Sequence, residues 1–131
     1  MAVADALGLD PVISATDLGR WQPPAGRAHG VALHQSFGSI VAEVAEVSID
    51  EGKIRVHRIS CAVDCGMVVN PDGVKQQIES AVTYGLSAAL FGEITIRDGQ
   101  VVQKNFHDYP MLRMDQSPAI DVVLIKSDEP P

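Results

Sequence analysis

An α+β layer is the fold class this sequence predicts. It is a mostly antiparallel sheet, built from two hairpins and a C-terminal strand, with one long helix over about residues 71–91 on one face. Three observations carry the prediction. Runs rich in Val, Ile and Ala are divided by Asp50-Glu51-Gly52-Lys53 and by Asp98-Gly99, both hairpin signals. From Val74 onward, Val74, Ile78, Ala81, Val82, Gly85, Leu86 and Ala89 recur at the 3.6-residue spacing of a helix with one apolar face. A last apolar run, Ile120-Asp121-Val122-Val123-Leu124-Ile125, suits a closing strand.

In chain order, residues 1–28 read as a short N-terminal helix and a Pro/Gly-rich linker, with Trp21 either packed on the edge of a single domain spanning 29–131 or docked on a neighbour. Residues 31–38 and 40–49 read as strands, with Gly38 and Ser39 marking a bend or bulge between them. The strand returning after Gly52 changes its apolar phase between Val56 and Ile59, which requires either a bulge or cover on both faces. Asp64 and Gly66 suit a tight turn. Pro71 holds Asn70 extended, and Asn70 or Asp72 can cap the helix that follows. Residues 91–96 and 100–106 flank Arg97-Asp98-Gly99 as a second hairpin. The stretch 107–118 is polar and irregular.

The chain has 131 residues, 46% hydrophobic and 21% charged, and only 5% aromatic, so its core must come from Val, Ile, Leu and Ala. A net charge of −7 argues against nucleic acid or an anionic membrane as a main partner, since both demand basic surface. No run of about 18 apolar residues predicts a membrane span, and the first residues lack the basic n-region of a signal peptide. The compartment stays open between cytoplasm and periplasm.

Chemistry is sparse by motif. Nothing matches a nucleotide-binding glycine loop, and His29, His34, His57 and His107 form no paired-ligand spacing. On one extended strand Cys61 and Cys65 would lie about 13 Å apart, too far for a disulfide. Buried free thiols are the expected state, with a zinc site on the pair the weaker alternative. Glu43, Glu46 and Asp50 read as a solvated acidic strand edge, and His57 as a strand-surface residue.

The order of segments nonetheless resembles a known family. Ser39 to Val47 leads to Ala62-Val63-Asp64-Cys65-Gly66 and Val69-Asn70-Pro71. Gln77-Ile78-Glu79, Tyr84-Gly85-Leu86, Ala89 to Ile94, Asn105 to Tyr109 and Met111-Leu112-Arg113 follow. Together, over roughly residues 26–131, these resemble the C-terminal part of the molybdenum-binding large subunit of the xanthine dehydrogenase and aldehyde oxidoreductase family. Within it they are most like the branch of the isoquinoline 1-oxidoreductase beta subunit.

The resemblance implies a molybdopterin cofactor, oxidative hydroxylation of an N-heteroaromatic or aldehyde substrate with water-derived oxygen, and an iron–sulfur small subunit or domain as electron partner. Gln77 matches the family's glutamine beside the molybdenum centre and is the candidate cofactor-binding residue. No catalytic residue and no metal ligand is assigned. Ser80-Ala81 stand where the family's motif continues with glycine, and Asp128-Glu129-Pro130 departs from its Gly-Glu-Pro motif, whose glutamate is the family's base. The chain is therefore expected to be part of such a subunit, inactive and without cofactor alone, with the remaining large-subunit domains as partners. The alternative is a non-catalytic binding or assembly module that retains the fold. Either predicts an apolar patch able to drive homo-oligomerisation.

Overall fold

A computed structural model describes residues 23–127. The expected N-terminal helix and Trp21 lie outside those residues. Strands β1 (Ala28–Ser36), β2 (Ser39–Asp50) and β3 (Lys53–Asp64) run as an antiparallel meander, and β6 (Ala119–Leu124) adds parallel to β3, giving the order β1-β2-β3-β6. Between β3 and β6 come helix α1 (Pro71–Phe91) and a short ribbon of β4 (Ile96–Arg97) and β5 (Gln100–Val101). The predicted α+β class stands.

Two details differ from the sequence reading. Gly38 and Ser39 are not a bulge: Phe37 (φ 49°) and Gly38 (φ 81°) both take the left-handed conformation, so Ser36 pairs with Ser39 across a two-residue hairpin turn. The predicted second hairpin forms, but as a separate two-stranded ribbon only two residues long on each side. Side chains capture the donors that longer strands would have used. Gln103 Oε1 accepts from the Thr95 N–H at 2.8 Å, and the Asp108 carboxylate accepts from the N–H groups of Lys104 and Asn105. Those N–H groups, Asn105 first, hold the Asp108 carboxyl below its ordinary range.

The phase change in β3 is a bulge. Glu46 pairs with Arg58 but Val47 pairs with Val56, leaving His57 as the extra residue. Beyond it, Ile59, Cys61 and Val63 share the face that α1 covers, and Ser60 and Ala62 face the other way. Ile59, Cys61 and Val82 form the buried centre on the helix side, with Ile78, Leu86 and Ile120 packed against it. Ala42, Ala62 and Ile125 form a smaller cluster on the far face.

The helix is capped as its sequence requires. Asn70 is extended (φ −127°) ahead of Pro71, and its Oδ1 accepts from the Gly73 N–H at 3.1 Å. Replacing Asn70 by Ala leaves that donor unpaired and is expected to cost about 1 kcal/mol, read from a urea unfolding curve. At the other end the Ser87 hydroxyl donates to the Thr83 carbonyl at 2.8 Å and accepts from the Leu112 N–H at 3.1 Å. The irregular stretch after β5 is thereby pinned to the helix.

Candidate functional site: the outer face of helix α1

The helix packs through Ile78, Val82 and Leu86, with Thr83, Ser87 and Leu90 folded in beside them. Ala81, Gly85 and Ala89, expected on the buried stripe, are exposed. Burial area decides this. Val, Ile and Leu gain far more from leaving water than Ala or Gly, and the hydroxyls of Thr83 and Ser87 are satisfied by carbonyls four residues back. The opposite, exposed face at 100° per residue is therefore Gln77, Ala81, Tyr84, Gly85 and Ala88.

Gln77 stands near the start of this face, about two turns into the helix, and is exposed. Its helix neighbours three and four positions away are Gly73, Val74, Ser80 and Ala81, none of them charged. The site is thus a neutral amide, donor and acceptor in one group, on a face whose next residues are small, with Tyr84 two turns further along. Such a face accepts the close approach of a flat polar group.

A single neutral amide, able to donate and accept, is chemically compatible with the polar edge of a pterin that carries molybdenum. Among the described residues no three His, Cys, Asp or Glu side chains come together. A metal at this face would be held through the organic group that carries it, and an uncharged amide serves that group without altering the charge around it.

Cys61 is fully buried and Cys65 half-buried, and both are free thiols. Burial and the nearby Glu43 carboxylate push the Cys61 thiol up to about 12. The acidic edge is solvated at Asp50, as expected, but not at the two glutamates. Glu43 and Glu46 are half-buried and, three apart on a strand, face opposite sides. Glu43 accepts a weak bond from the Cys61 thiol at 3.8 Å. Glu46 pairs with Arg27 and with His29, and the Arg27 guanidinium holds its carboxyl below the ordinary range.

His57 is likewise more than a surface residue. It is half-buried at the bulge, with Nε2 at 2.8 Å from the hydroxyl of the buried Ser48. The sequence signal for this was the phase change on either side of it. A cleft of about 730 Å³ also opens at the far end of α1, along Lys53 to His57, and nothing in the sequence pointed to it. Gln77 does not line it. The 12 residues from Gln77 to Ala89 place the two roughly 18 Å apart.

Residues 3–118 match the molybdopterin cofactor-binding domain family. The chain is 44% identical over 106 residues to the beta subunit of isoquinoline 1-oxidoreductase from Brevundimonas diminuta, a match that covers 79% of this chain and 14% of that protein. It is 29% identical over 151 aligned positions to a subunit of nicotinate dehydrogenase from Pseudomonas putida, covering 98% of this chain and 13% of that one. Among solved structures, quinoline 2-oxidoreductase from Pseudomonas putida 86 superposes with a TM-score of 0.59 at 24% identity, over 68% of this chain and 12% of that chain. A copper- and molybdenum-containing CO dehydrogenase superposes with a TM-score of 0.64 at 21% identity, over 70% and 12%. Both share the fold. The chain thus spans about one seventh of the length of these relatives, and by sequence and architecture it belongs to the molybdopterin cofactor-binding domain family.

Proposed function

We propose that residues 29–131 form part of the molybdopterin-binding domain of a molybdenum hydroxylase large subunit. The remaining large-subunit domains and an iron–sulfur subunit are its partners, and the chain has no turnover by itself. The parent reaction is oxidative hydroxylation of an N-heteroaromatic or aldehyde substrate, with oxygen derived from water. One observation carries the reading: Gln77, the residue picked out by the family resemblance, stands exposed on an uncharged helix face lined by Ala81, Gly85 and Ala88.

The pterin-held molybdenum supplies the redox chemistry when bound. The chain's own contribution is positional. Gln77 can donate from Nε2 and accept at Oε1, fixing the orientation of a polar planar group, and the small residues beyond it leave room for that group to lie close. The Asn70 cap and the Ser87 tie hold the helix in register, so the amide is presented from a rigid element rather than a loop.

The test is a transplant. Residues 29–127 would replace the matching segment of the isoquinoline 1-oxidoreductase large subunit, and metal, pterin and turnover would be measured. Retention of all three is expected, with Gln77→Ala losing roughly tenfold in cofactor retention or rate. A folded, assembled chimera that holds no pterin, or a Gln77→Ala chimera unchanged in every readout, would overturn the proposal. The 131-residue chain alone is expected to carry no stoichiometric molybdopterin. Finding it there would overturn the dependence on partner domains.

A further inference from the structure

Independently of that reading, we propose that the N-terminal half of β3 is a docking edge for an extended segment of a partner polypeptide, one that alternates acidic and apolar residues and adds as a strand in line with β6.

The strand pairing leaves the place open. β6 pairs with β3 only from Arg58 to Val63, so Lys53 to Val56 are paired with β2 on one side and, together with the bulged His57, meet no strand on the other among the described residues. The chain enters β6 from a local turn, with Gln116 N–H on the Arg113 carbonyl and Ser117 N–H on that of Met114, and Pro118 leads directly into Ala119. That turn stands away from β3. The space between them is the cleft of about 730 Å³, walled by Lys53, Ile54, Arg55, Leu90, Phe91 and Leu112. An unpaired strand edge lining a cleft is the geometry in which an extended peptide gains affinity from main-chain bonds and specificity from alternate side chains.

The side chains define the occupant. The pairings Val47 with Val56 and Ile49 with Ile54 put Ile54 and Val56 on the helix side. Lys53 and Arg55 therefore project to the opposite face, with Arg58 further along it. All three are exposed, on a chain whose net charge is −7. β6 already displays the matching pattern. Its Asp121 pairs with Arg58, and its Ile120 joins the core on the helix side. Lys53 and Arg55 form no ion pair among the described residues. A strand continuing the pattern of β6 would set a carboxylate beside each and lay its alternate apolar side chains against Ile54, Val56 and Leu90. Asp115 also lines the cleft, from the turn side, and the carboxyl end of α1 faces it. Negative charge there further restricts the partner's acidic residues to the Lys53/Arg55 face.

The probe is a short capped peptide alternating Glu and Val, titrated into the full chain and followed by amide NMR shifts and hydrogen exchange. Its Lys/Val counterpart is the control. The expected result is shifts and slowed exchange confined to residues 53–57 and the facing helix end. Binding should weaken as salt rises and fall at least about tenfold in the Lys53→Glu, Arg55→Glu double variant. Both positions are exposed, so circular dichroism should report an unchanged fold. Absence of binding at millimolar peptide, equal binding of the two peptides, or shifts on the outer edge of β1 would overturn the proposal. So would shifts at residues 53–57 that track chain concentration without peptide, because the occupant would then be a second copy.

Discussion

Val82→Asp is expected to abolish folding, whereas Ala81→Asp, one residue earlier on the same helix, should leave it nearly intact. Val82 is only 5% exposed and packs on Ile59 and Cys61, so a carboxylate there has no water and no cation. It would have to ionise inside the core or bind a proton, and either costs about 4 kcal/mol or more, a large share of the stability of a domain this size. Val82→Ala, which removes packing without adding charge, should cost about 2 kcal/mol. Ala81 points to solvent, and Asp in its place loses only about 0.6 kcal/mol of helix propensity. Circular dichroism with urea titration separates the three. Equal damage from the two Asp variants would mean that α1 is rotated toward the Ala81–Gly85 side.

Cys65 should be alkylated far faster than Cys61 in the folded chain at pH 8. The thiolate is the reactive form, and Cys61, with no exposed surface and its thiol pushed up to about 12, forms almost none. Iodoacetamide labelling followed by peptide mass mapping reads this directly. Cys65 should label in the native state and Cys61 only through unfolding. The same burial makes stability depend on pH. Below pH 9 the Cys61 thiol is neutral in both states. As pH rises from about 9 to about 12 the unfolded thiol ionises and the folded one does not, so the folding constant should fall by up to about tenfold per unit. Cys61→Ala should flatten that limb. A Cys61 that labels as fast as Cys65 in the folded chain would refute the buried-thiol assignment.

These predictions rest on features of unequal legibility. Helix α1, its Asn70 cap and the Asp64–Gly66 turn are written in local sequence, because Pro71, the apolar period and the turn residues act through near neighbours. The same holds for the bulge, announced by the apolar phase of β3. The rotation of the helix was not legible. Counting Ala and Gly as apolar shifts the predicted stripe by most of a quarter turn, and only packing against the sheet decides between Ala81 and Thr83. The hairpin at Phe37-Gly38 was hidden because a bulky residue with positive φ is an unusual turn former. The shortness of the 96–101 ribbon was hidden because it depends on Gln103 and Asp108 reaching backbone donors. Gln77 came into view through family resemblance alone, since an exposed helical glutamine carries no distinguishing pattern. The open edge at Lys53 to His57 could not be read at all, because it depends on where a strand more than sixty residues later begins to pair.

That late pairing governs how the chain reaches its native state. Arg58 meets Ala119 and Val63 meets Leu124, contacts between segments separated by the whole helix and ribbon. The three-stranded meander and α1 can form from sequence neighbours soon after synthesis, while parallel pairing must await a long and entropically costly loop closure. Until then the core strand presents its entire outer flank, including Cys61 and Val63, to any other chain. During refolding, docking of the last strand should be the slow, concentration-sensitive phase, and aggregation should compete with that step rather than with collapse of the meander.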